Sequence, residues 1–154
     1  MGSPERIKHV ATLIQTDAPT FVVLSAMSAT TNTLLEIAGY LYNRNPDGAI
    51  ETINRLEATY NRHLTQLFAT DEWKEKTREI LREVFNSLHT FTCQPFGPVE
   101  EKILLAQGEI MSTNMMTNYL HEQGVPAVLL SAFDFMRLTG SGEPDLAFIK
   151  EKLN

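Results

Sequence analysis

Residues 21–32, FVVLSAMSATTN, indicate the fold class. The first four are a short apolar run with β-branched and aromatic side chains, which is typical of a strand buried on both faces of a parallel sheet. Small and polar residues follow, and residues 33–36 match a capping box. The next helix is therefore expected to begin near Thr33 and to run to about Asn43. The whole unit reads as strand, small polar loop and helix N-terminus.

Helical periodicity extends along much of the remaining chain. Residues 48–91 carry two amphipathic stripes joined by a short capped turn, which predicts an antiparallel helical hairpin. A long helix is expected to end near Gln123, and residues 126–130 are a second candidate for a buried strand. Strands that alternate with helices predict an α/β fold with parallel pairing. Two strands do not make a stable sheet, so either the chain contains further strands that these patterns do not show or part of the sheet lies outside this chain.

Composition and charge exclude several classes of protein. The chain has 154 residues, of which 43% are hydrophobic and 21% charged, a balance typical of a globular domain. The net charge of −6 and the lack of a basic patch argue against nucleic-acid binding. No apolar run is long enough to span a membrane. The single Cys93 excludes an intrachain disulfide, and no His, Cys or carboxylate cluster has metal-ligand spacing. These features predict a cytoplasmic domain.

The loop at residues 25–32 is the first candidate site. In open α/β sheets, ligands bind beyond the carboxyl ends of strands. A helix N-terminus offers free N–H groups and a positive dipole end to an anion. Small residues let the backbone approach a ligand closely, and the hydroxyl groups and Asn32 add donors. The alternative is an ordinary capped loop, because strand–loop–helix corners are common.

Glu109 is the second candidate. Its neighbours three and four residues away on the long helix are small or apolar, whereas Gln107, Asn114, Asn118 and His121 are expected on a solvated face. A carboxylate on such a small-residue face must be paired, protonated or in contact with a ligand, because burying it alone is costly. The alternative is a boundary carboxylate that reaches water.

Three segments together resemble the aspartokinases of the amino acid kinase superfamily. Residues 22–32 are similar to the family's strand followed by Ser-Ala, a short spacer and Thr-Asn. Residues 105–112, LAQGEIMS, resemble its Gly-Glu-hydrophobic-hydrophobic-Ser helix, and residues 132–145 resemble the segment before the second half of its substrate site. The resemblance implies a helix-rich part of a three-layer αβα fold, with few parallel strands in this chain. It extends over nearly the whole chain.

The resemblance implies ATP-dependent phosphorylation of the side-chain carboxylate of L-aspartate, giving 4-phospho-L-aspartate. This is the first step towards lysine, threonine and methionine. Ser25, Ala26 and Thr31 match positions where the family contacts aspartate, and Glu109 matches the position that holds the substrate's amino group. The partners implied are L-aspartate and ATP, with Mg²⁺ as cofactor.

Other parts of the aspartokinase pattern are not found in these 154 residues. The family's first strand with its Lys-Phe-Gly-Gly-Thr-Ser motif, its nucleotide-binding half and its regulatory domains are missing. Residues 1–154 are therefore expected to be the N-terminal part of a catalytic domain. No catalytic, cofactor-binding or metal residue, and no bound cofactor, is expected in this part, which alone is expected to be inactive. An incomplete sheet would expose apolar edges, so a homo-oligomer is possible.

Two alternatives remain. One is another amino acid kinase with a different acid acceptor. The other is a helical interaction module built on residues 48–91, which would expose an apolar helix face to a partner.

Overall fold

The computed structural model describes residues 2–16 and 18–153. These residues form seven α-helices and one short 3₁₀ helix. In chain order the α-helices are α1 (Pro4–Ile14), α2 (Thr30–Tyr42), α3 (Pro46–Leu67), α4 (Asp71–Thr90), α5 (Pro98–Glu122), α6 (Ala132–Phe135) and α7 (Leu146–Leu153), with the 3₁₀ helix at Phe91–Cys93.

Local chemistry explains where several helices begin and end. The hydroxyl of Ser3 accepts a hydrogen bond from the N–H of Arg6 at 3.3 Å, so it caps α1. At the start of α5 the carboxylate of Glu100 accepts the N–H of Gly97 at 3.0 Å. After α5, Gly124 has a φ of 72°, the left-handed conformation that ends many helices and that glycine adopts at little cost.

The core lies among α2, α3, α4 and α5. Helix α2 packs on α3 and α5, and α4 packs on α3 and α5, while α1 packs mainly on α3. The two amphipathic stripes on either side of residues 69–71 are observed as α3 and α4, and their apolar faces point into this core. The fully buried side chains of the core include Leu34, Ile37, Ile53, Tyr60, Leu64, Phe85, Leu88, Leu104, Met111 and Met115.

The predicted α/β fold, with its three αβα layers, is wrong. The chain is about 70% helical, and the described residues contain no sheet. Their β-pairing is a single isolated antiparallel bridge between Leu138 and Pro144. The two strand candidates, residues 21–24 and 126–130, have no regular secondary structure.

The reason is that neither strand candidate has a pairing partner among the described residues. A strand needs another strand to bond its backbone N–H and C=O groups, and no local pattern supplies one. Phe21 and Val23 are 80% and 96% exposed, so the apolar run is not buried on two faces. The apolar run therefore does not form the buried strand that its pattern predicted.

The prediction of a solvated face on α5 is also wrong for two residues. Gln107 and Asn118 are buried, and the Asn118 amide donates to the hydroxyl of Thr77 on α4 at 2.9 Å. This burial follows from the packing of α4 against α5, which covers polar positions that local periodicity assigned to water.

Among the described residues, no helix is both long enough and apolar enough to cross a membrane.

Glu122, at the end of α5, caps the start of α4. Its Oε1 accepts hydrogen bonds from the N–H of Thr70 at 2.8 Å and from the Thr70 hydroxyl at 2.7 Å, and it also accepts from the N–H of Ala69 at 3.0 Å. A carboxylate at this end of a helix also interacts favourably with the helix dipole.

We expect Glu122→Ala to lower the free energy of unfolding by about 1–2 kcal/mol, because it leaves three donors without their acceptor. Urea unfolding followed by circular dichroism measures this change. The control is Glu79→Ala, which removes an exposed carboxylate of α4 with no hydrogen-bond partner among the described residues. Equal changes in the two variants would show that Glu122 does not act as a cap.

Candidate functional site

The loop before α2 folds into a tight turn. The N–H of Thr30 donates to the carbonyl of Met27 at 3.0 Å, and Ala29 has a φ of 65° and a ψ of −12°. This left-handed conformation is costly for a residue with a Cβ atom. Helix α2 therefore begins at Thr30, three residues before the predicted capping box. The hydroxyl of Thr33 bonds the carbonyl of Ala29 at 3.0 Å instead of capping the helix.

The same loop packs directly on the middle of α5. A Cβ atom built on Gly108 would lie 2.8 Å from the Cβ of Ala26, closer than two carbon atoms can approach. The hydroxyl of Ser112, one turn further along α5, donates to the carbonyl of Ser25 at 2.9 Å. The N–H of Ala26 donates to Oε1 of Glu109 at 3.2 Å. The absence of a side chain at Gly108 thus lets the loop approach α5 closely enough for these two hydrogen bonds.

Three of the four predicted site residues meet at this contact. Ser25, Ala26 and Glu109 are joined through the hydrogen bonds just described, although the loop and Glu109 are more than 80 residues apart in sequence. Thr31 is exposed in the first turn of α2, and no side-chain hydrogen bond joins it to the others. The two candidate motifs, found separately in the sequence, therefore form one surface.

Glu109 is an exposed carboxylate. This matches the alternative in which it reaches water rather than the buried, paired group inferred from its small-residue neighbours. Its Oε1 accepts the Ala26 N–H, and among the described residues no donor contacts Oε2. The carboxylate is therefore held in place at one oxygen and open at the other, an arrangement that suits a cationic ligand such as an ammonium group.

The start of α2 carries a partial positive charge, opposite in sign to the Glu109 carboxylate. Among the described residues, no hydrogen-bond acceptor contacts the backbone N–H groups of Thr31 and Asn32. Free N–H groups in the first turn of a helix, together with the positive dipole end, favour an anion. A carboxylate on α5 and an anion-favouring start of α2 thus lie on two elements that pack together, an arrangement that suits a molecule with both an ammonium and a carboxylate.

Tyr60 is a residue of this region that sequence reasoning missed. Its ring is 1% exposed, and its hydroxyl hydrogen-bonds the hydroxyl of Thr30 at 2.9 Å. Burial raises the pKa of Tyr60, the bond to Thr30 lowers it and the charge of Glu109 raises it, and together these effects place the pKa at about 12. In the sequence Tyr60 lies on one of the two apolar stripes of residues 48–91, a position typical of a core residue. No local signal distinguished it from its apolar neighbours.

Comparisons with known proteins do not assign this surface to a family. The chain matches no model of a protein family and no curated protein. Within residues 2–16 and 18–153, no group of three or more His, Cys, Asp or Glu side chains could hold a metal ion.

We expect Gly108→Ala to lower the free energy of unfolding by about 1–3 kcal/mol, because the new methyl group would overlap Ala26. The matched control is Gly39→Ala in α2, where a Cβ atom meets nothing within 4 Å. That change is expected to raise stability by about 0.5–1 kcal/mol, since alanine is the better helix former. Chemical denaturation of both variants measures the difference, and changes of the same sign would contradict the close contact.

We expect Ala29→Gly to raise the free energy of unfolding by up to about 1 kcal/mol, because glycine adopts a positive φ without steric cost. The control is Ala58→Gly at an exposed position inside α3. It is expected to lower stability by about 0.5–1 kcal/mol, since glycine disfavours the helix. Thermal unfolding of the two variants tests this opposite sign, and a loss of stability in both would mean that Ala29 is not strained.

Proposed function

We propose that this chain is the substrate-binding part of an aspartokinase. In the proposed reaction, the γ-phosphoryl group of ATP is transferred to the side-chain carboxylate of L-aspartate, giving 4-phospho-L-aspartate and ADP. The observation that carries the proposal is the hydrogen bond from the Ala26 N–H to Glu109. It joins the two segments, residues 22–32 and 105–112, that carry most of the resemblance to the family.

The charges of the surface suit L-aspartate. In the proposal, Glu109 binds the substrate ammonium through the oxygen that the protein leaves open. One substrate carboxylate lies at the start of α2, close to Thr31 and the loop from Ser25. Charge-assisted hydrogen bonds of this kind are stronger than neutral ones and fix the orientation of a ligand. Orientation matters because catalysis of phosphoryl transfer is mostly positioning and charge neutralisation.

ATP and Mg²⁺ complete the proposed reaction, and a longer protein that contains this chain would bind them. The Lys-Phe-Gly-Gly-Thr-Ser motif that the family uses near the transferred phosphate is not found in these 154 residues. We therefore expect the 154-residue chain alone not to phosphorylate aspartate. A cytoplasmic location is part of the proposal.

The two alternatives differ in what supports them. Another amino acid kinase could use the same ammonium site with a different acid acceptor, and a screen of acidic amino acids with the full-length protein separates it from an aspartokinase.

The helical interaction module needs an exposed apolar face on α3 or α4. Leu56 and Leu81, from the apolar stripes of these helices, are only 6% and 3% exposed, which disfavours the module.

We expect Glu109→Gln in the full-length protein to raise the KM for L-aspartate about 10- to 100-fold, because the substrate ammonium loses its charged acceptor. The KM for ATP should change less than twofold. Trapping the acyl phosphate with hydroxylamine measures both constants.

The control is Glu101→Gln, on the same helix. It also alters a single hydrogen bond, the one that the Tyr42 hydroxyl donates to Glu101 at 2.8 Å, and it should leave both constants unchanged. Equal effects of Glu109→Gln on the two substrates would assign Glu109 a structural role. Absence of aspartate-dependent turnover by the full-length protein would overturn the proposal itself.

A further inference from the structure

Thr30 is the residue where three parts of the molecule meet. Its N–H closes the turn onto Met27, and its hydroxyl bonds Tyr60 on α3 at 2.9 Å. Its methyl group lies against the bare face of Gly108 on α5, 3.5 Å from where a Cβ atom would stand. Thr30 therefore links the start of α2 to α3 and α5 at once.

The hydrogen bond between Thr30 and Tyr60 is buried among apolar residues. Thr30 is 2% exposed and Tyr60 is 1% exposed. A buried polar pair of this kind contributes little more to stability than a well-packed apolar pair would, but it penalises every arrangement that leaves a hydroxyl unpaired. Such a pair thus favours one position of the elements that it joins.

One of the elements joined by this pair, the start of α2, bears part of the candidate site, and the Thr30 methyl group also contacts α5 beside Glu109, at Gly108. Thr30 stands directly before Thr31 and directly after the strained Ala29, so a shift of Thr30 moves the free N–H groups of the first turn. Tyr60 is also near enough to Glu109 for the charge of the carboxylate to raise the pKa of Tyr60.

We propose that the Thr30–Tyr60 hydrogen bond positions the start of α2 relative to Glu109, so that both ends of the substrate can be bound at once. The substrate part of this inference rests on the proposed function. Tyr60 and Thr30 act here as positioning residues, since their hydroxyl groups bond each other rather than a ligand.

The test uses Tyr60→Phe and Thr30→Val in the full-length protein, because each removes one hydroxyl and nearly keeps the shape of the side chain. The control is Thr77→Val, which breaks the buried hydrogen bond between Thr77 and Asn118 at a distance from the loop. Thr30→Ser keeps the hydroxyl and serves as the rescue variant.

The first readout is hydrogen–deuterium exchange of peptides that cover residues 24–34, which does not depend on any substrate. Exchange there should rise about three- to tenfold in Tyr60→Phe and in Thr30→Val, the ratio expected for loss of one hydrogen bond. It should stay unchanged in Thr77→Val and return close to the wild-type rate in Thr30→Ser. If Thr77→Val raised this exchange as much as Thr30→Val, the pair would have no positioning role.

The second readout compares the change in KM for L-aspartate with the change in KM for ATP. Tyr60→Phe and Thr30→Val should raise the KM for L-aspartate about three- to tenfold and leave the KM for ATP within twofold. An unchanged KM for L-aspartate in a protein that phosphorylates aspartate would overturn the inference while leaving the proposed function intact. If the wild-type protein does not phosphorylate aspartate, the proposed function fails, and with it the substrate part of the inference. The exchange experiment then still decides whether the pair positions the loop.

Discussion

The close approach of the loop at Ala26 to α5 at Gly108 is the constraint on which the candidate site depends. With 2.8 Å between the Cβ of Ala26 and a Cβ built on Gly108, only glycine lets the two backbones come this near. The hydrogen bonds from Ala26 to Glu109 and from Ser112 to Ser25 require that proximity. Glycine is otherwise unfavourable inside a helix, so its presence in α5 is explained by the contact and not by helix stability.

The start of α2 is held by a combination of strain and buried polarity. Ala29 takes a left-handed conformation at a cost, and the Thr30–Tyr60 pair places two hydroxyl groups among apolar side chains. Glycine at position 29 and an apolar pair in place of Thr30 and Tyr60 would each be at least as stable locally. Both are understandable under the proposed function, because that turn carries free N–H groups that favour an anion. The proposed anion contact thus lies at the same few residues as the structural cost.

Sequence patterns predicted helices better than they predicted a sheet. The helical hairpin at residues 48–91 and the end of the long helix near Gln123 depend on neighbours a few residues away, so local patterns predicted them. The apolar run at residues 21–24 also looked like a strand, but a strand exists only when a second backbone pairs with it. Among the described residues there is no such partner, and the α/β prediction was wrong for that reason.

The sequence by itself predicted the helical hairpin and the end of the long helix, because these depend on local spacing and residue chemistry. It also indicated the loop at residues 25–32 and Glu109 as candidate sites, and the resemblance to the aspartokinases selected Ser25, Ala26 and Thr31 within that loop. Only the tertiary structure decided that Ser25, Ala26 and Glu109 share a surface, that Glu109 is exposed, and that Tyr60 belongs to the same region. These facts depend on contacts between residues 30 to 87 positions apart. Such contacts arise when helices pack, and periodicity along one segment carries no information about which residue of another segment will face it.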